Sequence, residues 1–495
     1  MSESLVFLGF DLGAESGRAM LGRFDGERIE LSEIHRFPNG PVRLTGGLHW
    51  DVLRLWTEVK RGLVLAVREH GLDLSGVGLD TWGVDFGLLD RDGALISNPY
   101  HYRDDRTDGM IEEACRRVSR EEIFEQTGLQ FIQINSLYQL LSMAVSGSPA
   151  LDIAETFLMM PDLFNYWLTG RKACEFTIVS TSQCYNPRRG DWVRPLLEKL
   201  GIPTRIFPEI VPPGTVLGNL LPAVAKEVGV DRLPVIAPGG HDTALAVAAV
   251  PAEGSDFVYI SSGTWSLMGA ELPGPVINEQ ALAHGFTNEG GVQGTVRFLK
   301  NIVGLWLVQE CRRTWARQGE DLSYDDLTEM AAQAEPLRSF VDPAYGEFLK
   351  PGDMPDRIQD FCRQTGQPVA ESKGAIVRCA LESLALTYRR VLEGLEAILG
   401  RRLEPIHIVG GGTQNRLLNQ FTADAAGRRV VTGPVEATAA GNVMMQAMAL
   451  GHIASLEEGR QIVRNSFDVT PYEPSGEATW DEAYDRFLAV AVQEG

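Results

Sequence analysis

No two cysteines in this chain are spaced CxxC, and only six occur in 495 residues. That spacing and scarcity exclude a zinc ribbon, a thioredoxin-type redox motif and a disulfide scaffold. Cys115, Cys174, Cys184, Cys311, Cys362 and Cys379 are expected to be reduced, buried thiols of a cytosolic protein. Long apolar runs are also missing; none approaches the ~20 residues of a membrane-spanning helix. The opening MSESLVFLGFD carries acidic Glu3 and no basic stretch before a short apolar run, so it does not read as a signal peptide. Basic charge is scarce: 45 Lys and Arg stand against 66 Asp and Glu, a formal net charge of −21. Broad binding to nucleic acid or an anionic membrane needs clustered positive charge, which is not supplied here. One anionic ligand, held locally by backbone N–H groups and a metal, is still allowed. The chain is expected to be cytoplasmic. Its sequence sets no oligomeric state, and a monomer is compatible with it.

What is present is an ordinary globular mixture, 44% hydrophobic and 22% charged, long enough for two domains with sizeable cores. LVFLGFDL, then the turn GAESGR, AMLGRF, a DG turn and ERIELSEIHRF read as a meander of strands. LRLWTEVKRGLVLAVREHG has helical periodicity, with Gly71 placed as a C-terminal cap. VGLDTWGVDFGLLDRDGAL returns to strand, turn and strand, and residues 105–170 read mostly as helix. FVYISSGTWSLMGAEL then repeats the opening plan about half a chain later. VRFLKNIVGLWLVQECRRTW and GAIVRCALESLALTYRRVLEGLEAILG read as helices, and PIHIVGGGTQNRLLNQFTADAAG as strand, glycine turn and helix. The fold class is therefore α/β in two similar halves, residues 1–252 and 253–495, divided near the Pro/Gly/acidic stretch VPAEGSD. A cleft between such halves is where a small-molecule site is expected.

Three turns stand out: DLGAESGR (Asp11–Arg18), SSGTWS (Ser261–Ser266) and VGGGTQN (Val409–Asn415). Glycine–hydroxyl turns let backbone N–H groups approach an anion. Asp11, ending a buried strand, would suit hydrated Mg2+. Each turn alone reads equally well as an ordinary connection; none is a Walker A or GxGxxG loop. In VIAPGGHDTALAVAAV, Asp242 follows a Gly-Gly pair and His241. Either Asp242 caps the helix that follows, or it orients a substrate hydroxyl and takes its proton. Gly239 and Gly240 would leave room for substrate, and His241 would donate to a sugar oxygen. Trp82 beside Gly83 in DTWGVDFGLL suits a sugar face, or else a core tryptophan in a hairpin. YHYRDDRT concentrates aromatic and ionic groups, either as part of a site or as a solvated turn.

Together FLGFDLGAESGR, HWDVLRLW, LDTWGVDFGLLD, NPYHYRDDRT, PGGHDTA, ISSGTWSLMG, FLKNIVGLWLVQ, HIVGGGTQNRLLNQ and GPVEATAAGN resemble the FGGY family of carbohydrate kinases along nearly the whole chain. DTWGVDFGLLD, GGHDTA and NIVGLWLVQ resemble most the members that phosphorylate L-rhamnulose at its 1-hydroxyl. The resemblance implies two ribonuclease-H-like domains of the actin/hexokinase ATPase type, with ATP and Mg2+ in the cleft and closure that excludes water. It implies that Ala14, Glu15, Ser16, Gly17 and Arg18 form the first phosphate turn and that Thr264 contacts ATP from the second. Gln309 and Gly411 would bind the nucleotide. Gly83, His241, Asp242, Thr243 and Asn301 would contact the sugar, with Asp242 the general base and Asp11 on Mg2+ through water.

The first turn departs from the family by carrying Glu15 where a small hydroxyl residue is common. YRDDR stands in place of a tryptophan-centred motif, and FTADAAG lacks the cysteines some relatives have. Kinases of L-fuculose, D-xylulose or an autoinducer-type ketose share the pattern, because one hydroxyl's orientation is not readable from spacing. An actin- or chaperone-like ATPase with a conformational output is the rival of another class. It expects a client-binding domain, and the acidic, helix-prone tail after GPVEATAAGN leaves no room for one. A sugar-binding regulator without turnover is a third reading.

Overall fold

The structure, a computed structural model, describes residues 4–476 and 478–491. Glu3, on which the reading of the N-terminus leans, lies outside them. The chain forms two compact units. The first takes the chain up to Ala249 together with Leu272–Phe298 and Ala437–Phe467; the second takes Val250–Glu271, Leu299–Glu436 and the chain from Asp468. The polypeptide thus leaves the first unit where VPAEGSD begins, and re-enters it twice.

The first unit is built on strands β1 (Leu5–Leu12), β2 (Ser16–Phe24), β3 (Ile29–Pro38) and β4 (Gly76–Thr81). Further along the chain come β5 (Phe86–Leu89), β6 (Thr156–Met159), β7 (Thr215–Asn219) and β8 (Pro234–Ala237). One sheet runs in the order β7-β8-β4-β1-β2-β3. β1 pairs antiparallel with β2 and parallel with β4, and β4 pairs parallel with β8. The parallel strands are apolar at nearly every position and buried on both faces, as central parallel strands must be. Leu8, Phe10, Val77, Leu79 and Val235 lie in one core that continues into the helices. Burying such a side chain stabilises the fold by roughly 1.5–3 kcal/mol.

Helix α1 (Val52–Val64) is capped by the Asp51 carboxylate, continues as one wider turn over Leu65–Glu69, and is stopped just before Gly71 at φ 62°. Four more helices bear on the site: α2 (Ser136–Val145), α3 (Met160–Thr169), the single turn α4 (Phe176–Val179) and α5 (Asp242–Ala248). The strand–turn–strand pattern of DTWGVDFGLL is present, but its strands are not a hairpin. β4 lies between β1 and β8, while β5 pairs with β6.

The second unit repeats the plan. β9 (Val258–Ser262) and β10 (Trp265–Leu272) form a hairpin. Next come β11 (Thr287–Gly290), which lies in the first unit, and β12 (Val296–Val303), which starts there and ends in the second. β13 (Ile406–Val409), β14 (Val430–Thr432) and β15 (Thr470–Tyr472) complete the set. The order in the second unit is β12-β10-β9-β13-β14-β15, with β9, β13 and β14 parallel. Its helices include α6 (Trp306–Arg317), α7 (Lys373–Leu399) and α8 (Arg416–Ala426); α9 (Ala437–Ala449) lies back in the first unit.

VRFLKNIVGLWLVQECRRTW is thus a helix only in its second half. VRFLKNIV forms β12, its β-branched and aromatic residues favouring a strand, and α6 starts after the break at Gly304. All six cysteines are free thiols, five of them buried.

Candidate active site

In open parallel sheets, ligand chemistry gathers beyond the carboxyl ends of the strands. β1 and β4 run in register Asp11 to Asp80, so two carboxylates end adjacent strands. β8 ends one strand over and leads through Pro238, Gly239 and Gly240 into His241 and Asp242, with His241 bridged to Thr81. The Thr81 N–H donates to Gly240 O at 2.9 Å and the Trp82 N–H to Leu12 O at 3.2 Å, which ties the three strand ends together.

Asp80 is fully buried. Asn442 of α9 donates to one oxygen at 2.7 Å, and the other has no partner. Burial and the charge of Asp11 hold its carboxyl well above the ordinary range. Asp11 accepts from Arg18 at 2.5 Å. Asp242 keeps 31% of its side-chain surface open. Desolvation by the protein around it, then the charge of Asp11, push its carboxyl up to about 7, against the Thr243 N–H (2.5 Å) and hydroxyl (3.1 Å) that donate to Oδ1.

The alternative that Asp242 merely caps the helix is not what is seen. His241 occupies the cap position without a side-chain cap, and Asp242 is the first residue of α5. A carboxylate with an open face and a pKa near neutrality is suited to receive a proton.

The loop before it is pinned. Glu175, buried ahead of α4, accepts from the Gly240 N–H at 2.6 Å, and Thr177 Oγ1 accepts from the His241 N–H at 3.1 Å. The glycines serve packing rather than substrate room. A Cβ on Gly240 would sit 2.9 Å from Ile178 and 3.0 Å from Pro161, and one on Gly239 would sit 3.0 Å from Leu245. His241 is buried, with Nδ1 3.0 Å from Arg297 Nη2 and Nε2 3.4 Å from Asp242 Oδ1. Burial and then the Arg297 charge keep its pKa well below the usual histidine value.

Gly83 follows β4, with the Thr181 side chain 3.3 Å from where its Cβ would stand. The next residue, Val84, holds φ 69°, a conformation that β-branched residues avoid. It is kept there by its N–H to Thr181 Oγ1 (3.0 Å) and by Ser136 donating to its carbonyl (2.5 Å). Asp85 is a buried hub. Trp50 Nε1 (2.6 Å), Trp82 Nε1 (2.9 Å), Gln139 Nε2 (2.9 Å) and the Tyr102 N–H (3.3 Å) donate to it. Desolvation still raises its carboxyl to about 6. Trp82 is itself buried, its ring 4.0 Å from that of Trp50, so it supports the site from the core. YHYRDDRT is no solvated turn: His101, Tyr102 and Asp104 are buried, and Asp104 accepts from the Leu48 N–H at 2.6 Å.

In the first turn Ala14, Ser16 and Arg18 are half-buried, Glu15 is exposed, and Gly17 is packed so tightly that a Cβ would fall 2.2 Å from Phe37. In the second unit, Thr264 sits at the turn of the β9–β10 hairpin and donates to Gln309 Oε1 at 3.0 Å. Gly411 opens the turn after β13 and faces open space, while its neighbours pack on Ser262; Gly410 stands at φ 86°. Asn301, grouped with the sugar contacts in the sequence, lies on β12 within the second unit. Asp80, Asp85, Glu175 and Arg297 were not singled out by their spacing. The signal for each is a polar residue inside an apolar or strand-like run.

Two family models match: "FGGY family of carbohydrate kinases, N-terminal domain" over residues 6–249 and its C-terminal counterpart over residues 258–450. The chain belongs to the FGGY family of carbohydrate kinases. It is a phosphotransferase with the two-domain α/β fold of the actin/hexokinase type. A rhamnulokinase of Bacteroides thetaiotaomicron is 47% identical over 97% of this chain and 98% of its own. One of Oceanobacillus iheyensis is 40% identical over 94% and 97%, and one of Pectobacterium atrosepticum 40% over 98% and 96%. Among solved structures, a gluconate kinase from Lactobacillus acidophilus aligns with a TM-score of 0.83 at 18% identity, over 99% of this chain and 98% of its own. A xylulose kinase from the same organism aligns at 0.81 and 17%, over 98% and 97%. At such identities these two structures speak for the fold alone. No helix among the described residues is long and apolar enough to cross a membrane.

Proposed function

We propose that this chain transfers the γ-phosphoryl group of ATP to the 1-hydroxyl of L-rhamnulose, giving L-rhamnulose 1-phosphate and ADP in the breakdown of L-rhamnose. The observation that carries the reading is near full-length identity of 39–47% to six chains named rhamnulokinase. The geometry around Asp242 supports it. As the sugar oxygen bonds to phosphorus and the bond to the β–γ bridging oxygen breaks, Asp242 takes the hydroxyl proton and ADP leaves. Gly83, His241, Asp242 and Thr243 hold the sugar in this reading, together with Asn301. Ala14–Arg18, Thr264, Gln309 and Gly411 hold the nucleotide. In this division of labour residues 1–252 supply the base, the first phosphate turn and the sugar contacts other than Asn301, and residues 253–495 supply the remaining nucleotide contacts. The small ketose and ATP are the partners, and a cytoplasmic setting, where ATP is abundant, suits six free thiols.

The residues fit a divalent cation. Beyond burial, the charge of Asp11 raises the carboxyl pKa of both Asp80 and Asp242, and Asp80 keeps a buried oxygen without a partner. Among the described residues, no group of three or more His, Cys, Asp or Glu is arranged to chelate directly. Mg2+ would therefore be held near Asp11 largely through water and phosphate, as this ion usually is, and would neutralise phosphate charge.

The test is ADP release from ATP in a coupled assay with a panel of ketoses. Turnover is expected to be strongest with L-rhamnulose. Equal or better turnover of L-fuculose or D-xylulose would keep the kinase and replace the substrate. ADP release unchanged by any sugar would overturn the acceptor model.

A further inference from the structure

Arg297 is fully buried on β12, an expensive residue with which to fill a core position. Its Nε–H donates to Gly290 O at 2.8 Å, which fixes the guanidinium plane. Nη2 reaches both Glu289 Oε2 (3.2 Å) and His241 Nδ1 (3.0 Å). Two donors cannot face one another, and a guanidinium never gives up its proton in a protein. Nδ1 of His241 must therefore be the acceptor. Glu289 lies farther from it, at 3.5 Å, and compensates the arginine charge. The ring proton is left on Nε2, the nitrogen facing Asp242 Oδ1 at 3.4 Å.

Resting on the reading of His241 as a sugar contact, we propose that Arg297, held by Glu289, is a positioning residue that locks His241 as a neutral imidazole protonated on Nε2. The consequence is a division of tasks. Nε2–H donates to a sugar oxygen, and no ring lone pair is available beside Asp242 to compete for the hydroxyl proton. With the other tautomer, Nε2 would accept that proton and repel the lone pairs of Asp242. The charged groups around the ring are Arg297, Glu289 and Asp242, with Asp11 and Asp80 behind Asp242. Burial and Arg297 both disfavour the imidazolium, in keeping with a ring that stays neutral.

The test is 15N–1H correlation of the histidine rings in the full chain labelled at histidine alone, eight residues in all. The signals of His241 are identified by their loss in His241→Gln. In the wild type the ring is expected to show the Nε2–H tautomer without titrating between about pH 5.5 and 8.5, a window that spans the ordinary histidine transition near 6.5. Arg297→Met is expected to mix the tautomers and raise KM for L-rhamnulose on the order of 10- to 100-fold, the scale of a lost buried hydrogen bond, with KM for ATP unchanged. Arg297→Lys, which retains a charge and a donor, is expected to restore part of both. A wild-type spectrum with Nδ1–H or an imidazolium at pH 7.5 would overturn the proposal. So would Arg297→Met with tautomer and sugar KM intact. If Arg297→Met does not fold, the wild-type spectrum and Arg297→Lys decide the matter. The tautomer is read without turnover, so a wild type inactive on L-rhamnulose would discard the substrate and leave the assignment of the ring to the spectrum.

Discussion

In the first unit the parallel strands β1, β4 and β8 run out at Asp11, at Asp80 and, beyond two glycines, at His241 and Asp242. In the second unit the corresponding strands β9, β13 and β14 run out at Ser262, at Gly410–Gly412 and at Thr432. The strand order, the hairpins, the parallel pairings and the antiparallel edges β7–β8 and β14–β15 match. What differs is the load at the strand ends: one set concentrates carboxylates, the other removes side chains. Scaffold and chemistry are separable in this way because strand ends tolerate substitutions that strand interiors do not. The expense differs as well. At one end the charge of Asp11 adds to burial in raising the pKa of Asp80 and Asp242, whereas bare backbone requires conformations that only glycine adopts readily.

The strongest way to break this contrast is to neutralise one carboxylate. Asp242→Asn is expected to lower kcat by about 10²–10⁴-fold, the scale of proton transfer by a positioned base, with sugar and ATP binding little changed. Near-normal turnover would remove Asp242 from the chemistry. A milder probe is pH. The carboxyl is raised to about 7, so the proton-accepting form is lost as pH falls through that value. In the free enzyme kcat/KM for the sugar is expected to drop about tenfold per unit below the pKa. An acid limb near 4 instead would mean that the Asp11 charge and the burial do not act on this group.

The next effect belongs to stability and to the same unit. Asp85 is fully buried and raised to about 6, against an unfolded carboxylate near 4. The folded state therefore binds the proton more tightly. The favourable contribution is complete below about 4 and is lost as pH rises to about 6, up to roughly 3 kcal/mol. Asp85→Asn leaves one acceptor oxygen: either the amide NH2 faces the Gln139 donor, or it faces Trp50, Trp82 and Tyr102, which all donate to the other oxygen. Denaturant unfolding should thus find the variant destabilised, and more so at pH 4 than at pH 7. A gap that does not vary with pH would mean that Asp85 titrates normally.

Asp85 also marks where the sequence stops being legible. The strand–turn–strand repeats were readable because LVFLGFDL, VYISS and IHIV are apolar runs bounded by glycine and hydroxyl turns. Asp242 was readable because a carboxylate following Gly-Gly at the start of a helix is conspicuous. VRFLKNIV was misread as helix, because short apolar runs carry both periodicities and only pairing decides between them. Arg297, Glu175 and Asn442 were not legible at all. Their meaning comes from His241, Gly240 and Asp80, which stand 56, 65 and 362 positions away. Spacing carries periodic structure; it does not carry contacts made by folding. The aromatic and ionic run YHYRDDRT allowed a solvated turn for the same reason, since its burial depends on Leu48 and Asp85.

The smallest effect sharpens the second unit's side of the contrast, because three adjacent glycines separate into two kinds. A Cβ on Gly412 would fall 2.0 Å from Ser262 Oγ, so Gly412→Ala is expected to destabilise the unit by about 1–3 kcal/mol through overpacking. A Cβ on Gly411 meets nothing within 4 Å, and Gly411→Ala is expected to leave the unfolding free energy within about 0.5 kcal/mol of wild type, as surface changes usually do. If the turn lies against the nucleotide, that same silent variant should raise KM for ATP several-fold while KM for the sugar stays unchanged. The open space that makes Gly411 harmless to folding would be the space the nucleotide needs. A Gly411→Ala chain with unchanged KM for ATP would leave packing against Ser262 as the reason for the bare turn, and would move nucleotide recognition toward Thr264 and Gln309, already joined by a hydrogen bond at the β9–β10 turn.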